Sequence, residues 1–89
     1  MLIEIQSLKE LSTIQRYLAV NLKEAEYSGN DIAQKLGVTS ACVSQYLKGK
    51  RANEISLSEV ADKVNMLSIV LIKRKKAKLL TMLKVGFVK

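Results

Sequence analysis

The chain has no histidine, no proline and no tryptophan, and it has only one cysteine and one phenylalanine among 89 residues. Without histidine the commonest general base is missing. Without a second cysteine no intramolecular disulfide can form, and Cys42 has no neighbouring His or Cys with which to hold a metal of the usual kind. The one Gly-Lys pair, Gly49-Lys50, lacks the upstream glycine of a phosphate-binding loop. The carboxylates are scattered. These absences argue against an enzyme, a metal site and a cofactor. Aromatic residues are too few for a groove that stacks single-stranded bases, so Tyr17, Tyr27 and Tyr46 are expected to pack with wet hydroxyls. The longest near-continuous apolar stretch, residues 66–72, falls far short of the roughly 20 residues of a membrane span. Met1-Leu2-Ile3-Glu4 has neither the basic leader nor the long apolar run of a secretory signal. No membrane partner is expected, and a cytoplasmic location is.

Acid is also missing from one region. Up to Asp62 there are eight acidic and seven basic residues, whereas from Lys63 onward there are eight basic residues and no acid. The formal charge of +7 therefore comes from the last third, at Lys63, Lys73, Arg74, Lys75, Lys76, Lys78, Lys84 and Lys89. Such an excess suits a polyanionic partner. A chain of this length is one domain. It buries only about 60–65% of the surface of its unfolded form, a thin core that a second subunit would help to cover. Abundant Leu, Lys, Ala, Ile and Val, with no proline, predict an all-α domain of four to five helices.

Three helix starts carry one chemical signature. Ser7 precedes Glu10, Ser28 precedes Asp31 and Ser56 precedes Glu59, each by three residues. At that spacing the hydroxyl accepts from a first-turn amide, and the carboxylate reaches back to the serine's own amide. The first helix is expected over about 8–24, with Leu8, Leu11, Ile14, Leu18 and Leu22 on one face. The second runs over about 29–36 and stops at Gly37, where the chain enters a left-handed conformation. The third runs from Ser40 to about Lys48, capped by Thr39 and stopped by Gly49. The fourth starts near Leu57 with Val60, Ala61, Val64 and Leu67 inward. Beyond it, either a long C-terminal helix or a break near Lys73 fits, and a strand pair of 69–72 with 85–88 is the minor alternative.

Around Gly37 the residues fit a helix-turn-helix over 28–49. Two helices that cross closely need a small residue four before the turn glycine, and Ala33 stands there. Ile32, Leu36, Val38, Val43 and Leu47 occupy the apolar offsets, with Tyr46 partly inward. Ser40, Ala41, Ser44, Gln45 and Lys48 then point outward, small or polar and free of negative charge. This is the surface a recognition helix presents to the major groove of double-stranded DNA. Ser40, Ala41, Ser44 and Gln45 are the expected base contacts: Gln45 can pair bidentately with adenine, the serines can donate or accept, and Ala41 can touch a thymine methyl. Ser28, Thr39, Lys48, Lys50 and Arg51 are the expected phosphate contacts, which position without reading sequence.

The run from Leu36 to Arg51, with its Leu-Gly-Val-Thr, Val-Ser-Gln-Tyr-Leu and Gly-Lys-Arg segments, resembles the lambda-repressor/Cro-like helix-turn-helix regulators, and among them the short archaeal ones. The likeness covers about residues 28–51. It implies a compact all-helical domain, dimeric on DNA, in which Ser40, Ala41 and Gln45 correspond to base-contacting positions. The chain departs from the pattern at Gly29, near where many members place a glutamine that braces the recognition helix against a phosphate. It departs again at Ser40, where glutamine is frequent.

The expected function is thus a homodimeric, DNA-associated transcriptional regulator, with repression the expected sign. Cys42 is expected to be a small, half-buried residue beside the third helix. Residues 66–72 are core in either reading, and the C-terminal segment 57–89 is expected to form a dimer seam and to add a basic surface. Whether Lys73 to Lys78 touch phosphates or form a solvated face is open. Two rival functions are a low-specificity architectural or partition protein that coats DNA, and an antitoxin-like or adaptor module whose C-terminal apolar segment caps a partner.

Overall fold

In a computed structural model the chain is described over residues 2–52 and 54–86. Strand β1 (Ile3–Ile5) leads into α1 (Leu8–Glu24), α2 (Gly29–Leu36), α3 (Ser40–Leu47) and α4 (Leu57–Lys73). A 3-10 turn (Leu79–Met82) and strand β2 (Leu83–Val85) follow. The domain is small, compact and mostly helical, with α1 packed against each of the other three helices. Among the described residues no helix is long and apolar enough to cross a membrane.

The helix starts obey local chemistry. The Glu10, Asp31 and Cys42 amides each donate to the hydroxyl three residues before them, on Ser7, Ser28 and Thr39, at 3.1 Å. Glu59 closes its box by accepting from the Ser56 amide at 3.3 Å. Glu10 departs from the expected reciprocal bond: its carboxylate accepts from the Gln6 amide at 2.7 Å instead.

Helices α1 and α3 end alike. After α1 the Tyr27 amide donates to Leu22 O and the Glu26 amide to Lys23 O, with Glu26 left-handed at φ 70°. After α3 the Lys50 amide donates to Gln45 O and the Gly49 amide to Tyr46 O, with Gly49 at φ 72°. Both are Schellman ends, which favour glycine in the left-handed place. Glycine marked one in the sequence; Glu26 concealed the other. Helix α2 stops at Gly37, φ 74°. A Cβ there would also come within 2.8 Å of the Leu80 side chain from the 3-10 turn.

The core joins Ile14, Leu18 and Leu22 of α1 to Ile32 and Leu36 of α2, Val43 of α3, and Val60, Val64, Leu67 and Leu71 of α4. Leu79 and the two isoleucines of β1 complete it. Leu8, expected on the buried stripe, is 67% exposed; it lies in the first turn of α1, on the flank of the stripe defined by Ile14, Leu18 and Leu22.

The C-terminal segment is not helical throughout, which corrects the expected helical 57–89. Helix α4 ends at Lys73, because Arg74 adopts extended geometry (φ −110°, ψ 106°) and four consecutive cations, 73–76, repel one another along any continued helix. Strand β2 then pairs in parallel with β1, Ile3 opposite Leu83 and Ile5 opposite Val85. The alternative pairing of 69–72 with 85–88 does not form: 69–72 belong to α4, and 87–88 lie outside the described residues. Alternation of Ile3, Glu4 and Ile5 as buried, exposed and buried is the two-residue period of a half-buried strand.

Candidate nucleic-acid interface

Two side chains seat α3. Val43 and Tyr46 are buried, and the Tyr46 hydroxyl donates to Gln15 Oε1 on α1 at 2.9 Å in the interior. Leu47, expected inward, is 37% exposed. The helix is rotated so that Tyr46 occupies the inner face, because its ring fills that space and its hydroxyl finds a buried acceptor. Burial, and next the adjacent Cys42, push the Tyr46 hydroxyl up to about 12, against the opposing pull of Arg51.

The opposite face carries Ser40, Ala41, Ser44, Gln45 and Lys48, all exposed. The Ser40 hydroxyl donates to Asn30 Oδ1 at 2.8 Å, which ties the first turn of α3 to the first turn of α2. With its proton so engaged, Ser40 presents its remaining lone pair outward as an acceptor. Asn30 escaped sequence reasoning, since nothing in the local pattern marks a partner ten residues away; its amide nitrogen stands at the edge of the same surface.

Ser28 and Thr39 each accept a capping amide, so their hydroxyl protons remain available as donors. Lys48, Lys50 and Arg51 gather at the far end of α3, where the back-bond from Lys50 to Gln45 turns the chain. Arg51 Nη1 donates to Cys42 Sγ at 3.3 Å, which holds the guanidinium against the flank of α3. Cys42 is half-buried, as expected. The base-contact and phosphate-contact candidates thus share one surface around α3, with Ser28 joined to it through the first turn of α2.

Lys35, unnoticed in the sequence, fixes the basic segment elsewhere. Its side chain is only 5% exposed, and its ammonium donates to the carbonyls of Lys75, Arg74 and Ala77 at 2.9, 3.1 and 3.4 Å. Tyr27 adds a ring face 5.6 Å from the ammonium. Burial first, and nearby Lys78 second, pull the Lys35 pKa below the ordinary lysine value, with Asp31 opposing. On α2, five residues separate Asn30 from Lys35, or about 140° of rotation. The basic segment therefore docks on a different flank of α2 from the one that meets Ser40. Its cationic side chains, Lys73, Arg74, Lys75, Lys76 and Lys78, are all exposed. Beside it lies an open depression of about 420 Å³ whose walls mix Asp31 and Glu26 with Lys75 and Lys78, so it has no single-sign field for an anion.

No protein-family model, curated protein or solved structure matches the chain.

Proposed function

We propose that the protein is a helix-turn-helix regulator that binds double-stranded DNA as a homodimer, with α3 as the recognition helix in the major groove. The observation that carries this reading is the exposed face of α3. It is polar and small, free of acid, seated rigidly by Val43 and Tyr46, and bounded by Thr39 at one end and Lys48, Lys50 and Arg51 at the other. Small residues let the helix approach the base edges, and the flanking donors suit phosphates. Gln45 is the principal reader, Ala41 a methyl contact, and Ser40 and Ser44 lesser polar contacts. In a dimer two such helices meet successive major grooves about 34 Å apart. A small protein covering its site acts by excluding others from it, so repression is the proposed sign.

Selection of bound duplexes from a random pool tests this directly, and a symmetric site with half-sites one helical turn apart is expected. The Gln45 side chain has no hydrogen-bond partner among the described residues, so Gln45→Ala should leave stability unchanged. It should weaken the selected site by about 1–3 kcal/mol and relax its sequence preference. Unchanged affinity and preference would remove Gln45 from the readout. A second reading, low-specificity coating of DNA, is favoured by the five exposed cations displayed beside α2. Under that reading, bulk duplex competitor abolishes binding at modest salt and no sequence emerges from the selection.

A further inference from the structure

One face of α4 has no partner in the domain. Asp62, Met66, Ile69 and Lys73 are spaced by four, three and four residues, which places them within about 60° of one another on the helix. Val60, Val64, Leu67 and Leu71 occupy the buried side, so this face points directly away from the core. Met66 is 41% and Ile69 54% exposed, with Ile72 beside them at 40%. A shallow groove of about 230 Å³, lined by Ile3, Met66, Leu67, Val70, Arg74 and Met82, runs alongside. Apolar side chains gathered on one face beside an apolar groove mark an interaction surface.

The charges on this face identify the occupant. Asp62 and Lys73 sit at its two ends, equidistant from the midpoint between Leu67 and Ser68, and Met66 and Ile69 flank the same midpoint. The order acid, apolar, apolar, base is therefore its own complement when reversed. The ion pairs among the described residues are Lys9–Glu54 and Lys63–Glu10, so both end charges are left for an external partner.

We infer that this face of α4 binds the same face of a second copy, antiparallel about a two-fold axis. In that arrangement Asp62 of each copy meets Lys73 of the other, and Met66 of each meets Ile69 of the other beside the groove. An isologous contact requires such self-complementarity, and the end charges fix register and direction. A parallel pairing would set Asp62 against Asp62 and Lys73 against Lys73. The seam is short beside the roughly 1,200–2,000 Å² of standard interfaces, so the dimer dissociates on dilution and is favoured by anything that binds both halves at once. The inference deepens the dimer named above and does not depend on duplex recognition by α3.

The test is sedimentation equilibrium of the 89-residue chain without DNA, which keeps it separate from duplex binding. Asp62→Lys alone and Lys73→Glu alone should each raise the dimer dissociation constant about tenfold or more, since each creates two like-charge contacts in place of two attractive ones. An equimolar mixture of the two single variants should form a heterodimer with wild-type affinity, and so should the homodimer of the double variant. Both positions are exposed at the surface, and circular dichroism checks that each variant stays folded. A wild-type chain that is monomeric throughout, single variants that dimerise unimpaired, or single variants that fail to rescue each other would overturn the antiparallel seam. A wild-type dimer with the expected charge rescue that ignores duplex DNA would leave the seam intact and remove the DNA reading instead.

Discussion

Tyr46→Phe isolates the contact that holds the candidate recognition helix to the rest of the domain. The ring stays and only the hydroxyl is lost, so packing changes little. Gln15, itself 7% exposed, loses the donor that satisfied its side-chain oxygen. Leaving a buried acceptor without its partner costs about 1–3 kcal/mol, which in a domain of this size lowers Tm by roughly 4–8 °C per kcal/mol. The alkaline limb offers an independent reading of the same contact. The hydroxyl titrates near 12 in the folded state and at about 10 when unfolded. Its contribution is therefore complete below pH 10 and is lost as pH rises from 10 toward 12. The full difference corresponds to the order of 2–3 kcal/mol, since each pKa unit is 1.36 kcal/mol. Thermal melts by circular dichroism at neutral pH, and urea titrations between pH 9 and about 12, measure both effects. The variant should be less stable at neutral pH and should lose less stability as pH rises. A variant as stable as the wild type, with an unchanged alkaline slope, would refute the buried Tyr46–Gln15 bond.

The remaining predictions concern helix ends and one ion pair. Glu26→Gly should stabilise the domain by about 1 kcal/mol, because a left-handed residue at a Schellman end loses its Cβ penalty; a lower Tm would contradict that geometry. Gly37→Ala should destabilise by about 1–2 kcal/mol, mostly from the left-handed backbone, since the Leu80 side chain it would meet is 57% exposed and can turn aside; an equal denaturant midpoint would show that the turn can rearrange. Burial tends to raise the Glu10 carboxyl, but the Lys63 ammonium at 2.8 Å and the Gln6 amide outweigh it, so its pKa lies below the ordinary 4.5. A lowered carboxylate stabilises above its unfolded pKa and loses that contribution as pH falls through the folded value. Lys63→Met should accordingly move acid unfolding to higher pH, and coincident acid limbs for the two proteins would exclude the pair as a source of acid stability.

The four helices were legible because their determinants lie within a few residues. Ser7, Ser28, Thr39 and Ser56 announce starts through hydroxyls that meet amides two or three positions on. Gly37 and Gly49 announce stops because left-handed backbone is cheapest for glycine. The outward face of α3 was legible for a related reason: once Val43 points inward, helical geometry sends Ser40, Ala41, Ser44 and Gln45 away from the core. Where a long-range partner decided the outcome, local rules failed. Leu47 and Tyr46 compete for the inner face of α3, and the buried Gln15, thirty-one residues earlier, settles it for Tyr46. Lys35 reads as one more surface lysine until the carbonyls of residues 74, 75 and 77 close around it.

The last third shows the same division. Its surplus of positive charge is a property of composition and needs no fold to be seen. Its path is not: residues 83–85 become a strand only because residues 3–5 are available to pair with them, across nearly the whole chain. A three-residue strand carries too few residues for its period to be told from chance, and its hydrogen bonds exist only with its partner. By itself, then, the sequence determined the helices, their caps and the acid-free face of α3, all set by contacts within one or two turns. The tertiary structure alone decided that α4 stops at Lys73, that Lys35 anchors the basic segment away from α3, and that Asp62, Met66, Ile69 and Lys73 are left facing solvent. Which side of a helix becomes the outside depends on where its neighbours bury the other.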